Sequence, residues 1–290
     1  MQLDSETGLD AFYRLKRKHF PQVAFHTSFF CPIGVLQVGD LVEISGPTKC
    51  GKSQFLYQCT ANYVLNQLQS EYFRKELQLV WIDMDWNFDV SRLRVLLQSS
   101  DSAVTFSEEQ VSRILEELQV CCPQDDWQLL LYLSDLQEQI QTSGKSYVLF
   151  MDGIGGWHHW NAFTSQVAVQ QACFKKLSRL LTVFPVACLA SVKLQVALPF
   201  RAKATSLDLE RSLVVPEYLP QPWKHLVTQK LVIFQLQEDN DTDDGGSVFF
   251  VDHFIRSNQS EQNNPSKAWK LDRQWKMKVT ERSVSWEICS

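Results

Sequence analysis

An α/β fold is predicted, built on a doubly wound, mainly parallel sheet that C-terminal antiparallel strands extend, and three observations predict it. Short, nearly all-apolar runs alternate with segments of helical periodicity through the first two thirds of the chain, the pattern of parallel strands covered on both faces. A glycine-punctuated loop stands between the first such strand and the helix that follows it. Beyond residue 191 four strand-like runs follow one another with no helix between them, which favours antiparallel pairing onto the same sheet.

The elements follow in order. Val38-Gly39-Asp40 reads as a turn, residues 41–45 as a strand, and Gly46-Pro47 as its break. Phe55, Leu56, Cys59, Tyr63 and Leu68 then recur at helical spacing, so Lys52 and Ser53 open a helix that packs on the sheet. Residues 79–83 form a buried strand ending on carboxylates. Ser107 with Gln110 three positions on fits a capping box that opens a helix through Ile114, Leu115 and Leu118. Residues 120–122 read as a strand ended by Pro123. Residues 126–140 read as a helix for which Gly144 is the terminator. Residues 147–151 are a further buried strand, 164–184 a long helix and 186–190 another strand. Residues 193–223, with Pro199, Pro216, Pro220 and Pro222, read as a long loop. Residues 231–237, 247–255, 276–280 and 283–288 read as the closing strands, with an acidic hairpin tip at 238–246 and a polar loop at 257–267. Residues 1–34 are set apart as an N-terminal segment, and 35–290 are expected to form one domain.

Composition removes several classes of function. At 290 residues, 44% hydrophobic and 21% charged, the chain resembles an ordinary globular protein, and no apolar stretch is long enough for a membrane helix. The acidic, polar start, Met1 to Glu6, does not match a secretory signal. The eight cysteines contain no CxxC pair and no metal-type spacing with histidine, so they are expected to be reduced and mostly buried. A net charge of -5 repels polyanions as a whole, which leaves only local or shared contacts with DNA. The basic run Arg14-Leu15-Lys16-Arg17-Lys18-His19 reads as a solvated helix face.

The chemistry concentrates in Gly46-Pro47-Thr48-Lys49-Cys50-Gly51-Lys52-Ser53. A phosphate-binding loop needs glycines where the backbone turns tightly with its N–H groups toward phosphate, a lysine beside the β/γ phosphates and a hydroxyl for magnesium. Gly46, Gly51, Lys52 and Ser53 supply these, so ATP and magnesium are the expected cofactors. Asp152, following the strand 147–151, is placed to organise magnesium with Ser53. Asp83 and Asp85 leave two readings open: one polarises an attacking water, the other makes them capping or turn residues. Asp85 is the better candidate for facing the nucleotide. Gly155-Gly156-Trp157-His158-His159-Trp160 reads as an aromatic loop rather than a metal site, since no third ligand is near.

With these residues in view, the chain resembles the RecA-type eukaryotic recombinase paralogues over nearly its whole length. The likeness rests on Gly39-Asp40-Leu41-Val42-Glu43, the Gly46 to Ser53 loop with Gln54-Phe55-Leu56-Tyr57, and Ile82-Asp83-Met84-Asp85-Trp86-Asn87-Phe88-Asp89 before Arg92-Leu93. Leu149-Phe150-Met151-Asp152, Tyr218-Leu219-Pro220, Trp223-Lys224-His225-Leu226-Val227 and Val284-Ser285-Trp286-Glu287 continue it. The resemblance implies a RecA-like core and a nuclear role in homologous recombination. It also implies a subunit of a four-paralogue complex that promotes recombinase filament assembly on single-stranded or branched DNA. The implied direct partner is the D-type paralogue, and through it the B- and C-type paralogues and the recombinase. The stretch before the phosphate loop leaves no room for the family's helical N-terminal domain, which implies a terminal subunit. Arg201, Lys203 and Arg211 resemble in position a DNA-facing loop. Two departures bear on catalysis: recombinases have glutamate where this chain has Asp85, and a polar asparagine-glutamine pair where Ser191 leads into Val192-Lys193. Valine cannot hydrogen-bond a phosphate, which leaves Lys193 as the residue there able to reach it. The expectation is an ATPase-type fold with structural nucleotide binding and little or no hydrolysis. The alternative is an active ATPase or small-molecule kinase.

Overall fold

The computed structural model describes residues 36–69, 75–98, 107–155, 164–193, 219, 221–234, 247–256, 269–280 and 284–289. Strand β1 (Leu41–Gly46) is buried along its whole length and leads through the glycine loop into helix α1 (Lys52–Gln69). Strand β2 (Leu77–Asp83) precedes helix α2 (Val90–Gln98). The sequence reading had no helix there, although Leu93, Leu96 and Leu97 are buried at helical spacing and Asp89 Oδ1 accepts from the Ser91 N–H. Helix α3 (Glu108–Glu117) carries the expected capping box: Ser107 accepts from Gln110 N–H, and the Gln110 side chain accepts from Ser107 N–H. The short β3 (Gln119–Cys121) leads to helix α4 (Asp126–Ser143), which Asp125 caps and Gly144 ends in the left-handed region at φ 66°. Strand β4 (Ser146–Ile154), helix α5 (Thr164–Val183) and strand β5 (Val186–Lys193) follow. Helix α6 (Gln221–Leu226) and strands β6 (Gln229–Phe234), β7 (Ser247–Arg256), β8 (Trp269–Val279) and β9 (Val284–Ile288) complete the described chain.

The nine strands of the described residues join one sheet in the order β3-β2-β4-β5-β1-β6-β7-β8-β9. The six from β3 to β6 run parallel, and β7, β8 and β9 add antiparallel. This is the doubly wound, RecA-like arrangement that the sequence implies. Three boundaries correct the sequence reading. Strand β6 pairs parallel to β1, because the chain returns through α6 before entering it. The segment expected to be loop up to residue 223 ends in that helix, whose Trp223 is fully buried. Strand β8 begins seven residues before the expected Lys276, its polar start having masked the alternation.

The sheet divides two apolar layers. One holds Phe55, Leu56, Val64, Leu93 and Ile114 of α1, α2 and α3 against Val42, Ile44, Trp81, Phe150 and Leu189, and it extends under β7 and β8 through Val251, Trp275 and Met277. The other packs Leu133, Leu136, Phe174, Leu177 and Trp223 of α4, α5 and α6 against Ile82, Leu149, Met151, Cys188 and Val192. Each large apolar side chain so buried contributes about 1.5–3 kcal/mol relative to exposure. One charged network lies inside: Glu43 Oε1 is 3.3 Å from Lys230 Nζ, and the Trp223 indole N–H donates to Glu43 Oε2 at 2.8 Å. It ties the strand that enters the glycine loop to β6 and α6. No helix among the described residues is long and apolar enough to cross a membrane.

Candidate nucleotide site

A cleft of about 650 Å³ opens at the C-terminal ends of the parallel strands, lined by Thr48 to Gln54, Asp85, Asn87, Arg92, Asp152 and Ser191, with Phe249, Val279 and Thr280 on its far wall. That is the position and size at which open α/β sheets take ligands. The loop at its base has no room for side chains at its turning points. A Cβ on Gly46 would lie 2.3 Å from the Ile233 carbonyl oxygen, and Gly51 sits at φ 85° against Met277 and Phe249. The antiparallel extension thus braces the loop from outside. Cys50 is buried in the core beneath it, and burial pushes its thiol up. The Lys52 ammonium donates to the carbonyls of Gly46 at 2.9 Å and Pro47 at 2.7 Å, and lies 3.7 Å from Cys50 Sγ.

Across the cleft the carboxylates separate by role. Asp83 is buried, and its two oxygens accept from the N–H groups of Asp85 at 3.0 Å and Phe88 at 2.6 Å. Of the two open readings, Asp83 is the turn-holding residue. Asp85 lines the cleft, with its carboxyl set against Gly153: a Cβ there would come within 2.4 Å of Asp85 Cγ. Gly153, at φ 86°, meets this approach without a side chain. The loop between them is closed by Tyr57, whose hydroxyl donates to the Asn87 carbonyl and accepts from the Asp89 N–H. Burial pushes the Tyr57 phenol up to about 12.

Asp152 stands inside β4 rather than at its end, since the strand continues to Ile154 with a register irregularity past Met151. Its Cα pairs with that of Asp83, and hydroxyls of Ser53 and Ser191 hydrogen-bond its carboxyl. Burial pushes that carboxyl up, the two serine hydrogen bonds pull it down, and Asp85 and Asp83 add to the rise. The structure therefore brings together Ser53 and Asp152, and places Asp85 beside them.

Sequence reasoning missed Ser191 as a partner of Asp152. Strand alternation was the available signal, because Ser191 shares a sheet face with Ala187 and Leu189, the face of α1. Val192 turns the other way and is buried in the α4 and α5 layer. Arg201, Lys203 and Arg211, the run 14–19 and the stretch 156–160 lie outside the described residues.

The donors present fit ATP with magnesium. Tight glycine turns, a lysine on the loop, a serine hydroxyl touching a buried carboxylate, and two aspartates, Asp85 and Asp152, lining the cleft would suit a hard cation held with phosphate. No group of histidine, cysteine or acidic residues among the described residues forms a separate metal site.

No protein-family model matches the chain. Over 145 residues it is 28% identical to the DNA repair protein XRCC2 of Mus musculus, in a match that takes in 49% of this chain and 50% of that protein. It is 28% identical over 144 residues to the DNA repair protein RAD51 homolog 2 of Mus musculus, covering 47% of this chain and 40% of that one. With the XRCC2 homolog of Arabidopsis thaliana it shares 23% over 258 residues, 68% of this chain and 69% of the plant protein. The matched region thus spans about half or less of each mouse relative. The chain is thus similar to DNA repair proteins of the XRCC2 and RAD51-homolog kind.

Proposed function

We propose that this protein serves DNA repair by homologous recombination, as a subunit of a recombinase-paralogue complex that helps recombinase filaments assemble on single-stranded DNA. The relatives' names support the repair role. Its direct partner in this reading is a D-type paralogue, which links it to B- and C-type paralogues and to the recombinase, and the complex works in the nucleus. ATP with magnesium is held by residues 46–53, with Ser53 and Asp152 organising the ion. When bound, the ion neutralises charge on the phosphates. Lys52 would pair with the β/γ phosphates of a bound nucleotide, and Asp152 with Ser53 would hold its magnesium.

The observation that carries a binding rather than a turnover role is the end of β5. Val192 is buried among apolar side chains away from the cleft, and Ser191 spends its proton on Asp152. Neither reports a γ-phosphate. Asp85 is also one methylene shorter than the glutamate that orients water in recombinases. In this reading ATP is a structural ligand with little or no turnover.

Co-purification with a D-type paralogue tests this reading. Wild type is expected to bring down the partner with nucleotide bound, and Lys52→Ala to lose the nucleotide. No complex with any paralogue would overturn the assembly role. The position of Asp85 in the cleft favours a second reading, an active ATPase, which predicts turnover that disappears in Lys52→Ala.

A further inference from the structure

The end of β5 carries a feature that the nucleotide reading does not use. Ser191 is 1% exposed. Its hydroxyl donates to Asp152 Oδ1 and accepts from the Gly153 N–H at 2.9 Å. A serine hydroxyl has one proton, so both its donor and its principal acceptor capacity are committed within β4. The two bonds grip consecutive residues at the irregularity in β4, where Gly153 takes up φ 86° to admit Asp85. Asp85 and Asp83 lie close enough to this carboxyl to disfavour its charged form. Ser191 holds Oδ1 in place, and the Ser53 side chain also hydrogen-bonds the same carboxyl.

We propose that Ser191 is the positioning residue for magnesium at this site: by fixing Asp152 Oδ1 and the Gly153 amide together, it sets the carboxylate's orientation toward the metal-bound nucleotide. This rests on the nucleotide reading above and deepens it. Strand β5 thereby acts on the metal rather than on the γ-phosphate. Removing a hydrogen-bonding partner of a metal-organising group typically weakens metal affinity by about 10–100-fold.

The test measures binding of a fluorescent ATP analogue by anisotropy, with magnesium titrated at fixed nucleotide and a parallel arm in EDTA. For Ser191→Ala the magnesium midpoint is expected to rise by at least about tenfold. Its EDTA-arm affinity should stay at the wild-type value, and Ser191→Thr, which keeps the hydroxyl, should restore the midpoint. A merely structural role would weaken both arms together. A wild-type midpoint in Ser191→Ala, or equal loss in both arms, overturns the positioning role while leaving nucleotide binding intact. Absence of analogue binding by wild type in both arms overturns the nucleotide reading and this proposal with it. If Ser191→Ala does not fold, Ser191→Cys keeps the volume with a much weaker donor and carries the same comparison.

Discussion

At the scale of the residue, the site is shaped by small groups that leave room for others. Gly153 combines a left-handed φ with a Cα against which the Asp85 carboxyl rests. Gly153→Ala is expected to cost about 1–3 kcal/mol in urea unfolding, from backbone strain and the clash together. Adding Asp85→Ala should recover the clash and leave only the φ cost of about 1 kcal/mol, a coupling that a double-mutant cycle reads directly. Equal losses in the single and double variants would mean that the contact carries no energy. Val192 gives the complementary case. Val192→Asn, which copies a recombinase residue, should not add nucleotide sensing, because the side chain points into the α4 and α5 layer. It should destabilise by about 1–3 kcal/mol, the cost of burying an amide without partners.

At the scale of the element, local signals explain most ends and tertiary contacts explain the rest. The capping box at Ser107 was legible because both partners lie within four residues. Ser107→Ala is expected to cost about 1 kcal/mol by thermal or urea denaturation. Strands β7 and β8 hold a less visible feature, His253, buried between Gln229, which its Nε2 contacts at 3.0 Å, and Asp272, 3.3 Å from its Nδ1. Burial lowers the imidazole below its ordinary 6.5, Asp272 partly offsets this, and Arg273 adds to the lowering. The unfolded chain therefore binds more protons between the lowered value and 6.5, so stability falls as pH drops through that window. His253→Gln should flatten this part of the stability profile. An unchanged slope would remove the assignment.

At the scale of the whole molecule, one sheet carries the glycine loop at its centre, and the antiparallel extension turns back to brace it through Phe249 and Met277. The buried Glu43, Lys230 and Trp223 network joins β1, β6 and α6 immediately upstream of the loop. Lys230→Met leaves Glu43 as an uncompensated buried charge and is expected to cost about 3–5 kcal/mol. Pairing it with Glu43→Leu should recover most of that loss, since a buried ion pair replaced by apolar groups of similar volume is often neutral. Denaturant midpoints of the single and double variants check both statements.

The sequence by itself determined what depends on neighbours along the chain. The glycine loop between strand and helix, the apolar runs of buried parallel strands, the caps at Ser107 and Gly144, and the resemblance to recombinase paralogues were all readable there. Only the tertiary structure decided which of two adjacent residues turns toward the cleft, because a strand alternates faces and its register is set by pairing with β1 and β4. That alternation assigns Ser191 to Asp152 and Val192 to the core, whereas backbone N–H groups of its own loop make Asp83 a turn residue and the return through α6 makes β6 parallel. The Ser191 pairing and the return into β6 depend on contacts more than 30 residues apart in sequence, between Ser191 and Gly153 and between Trp223 and Glu43.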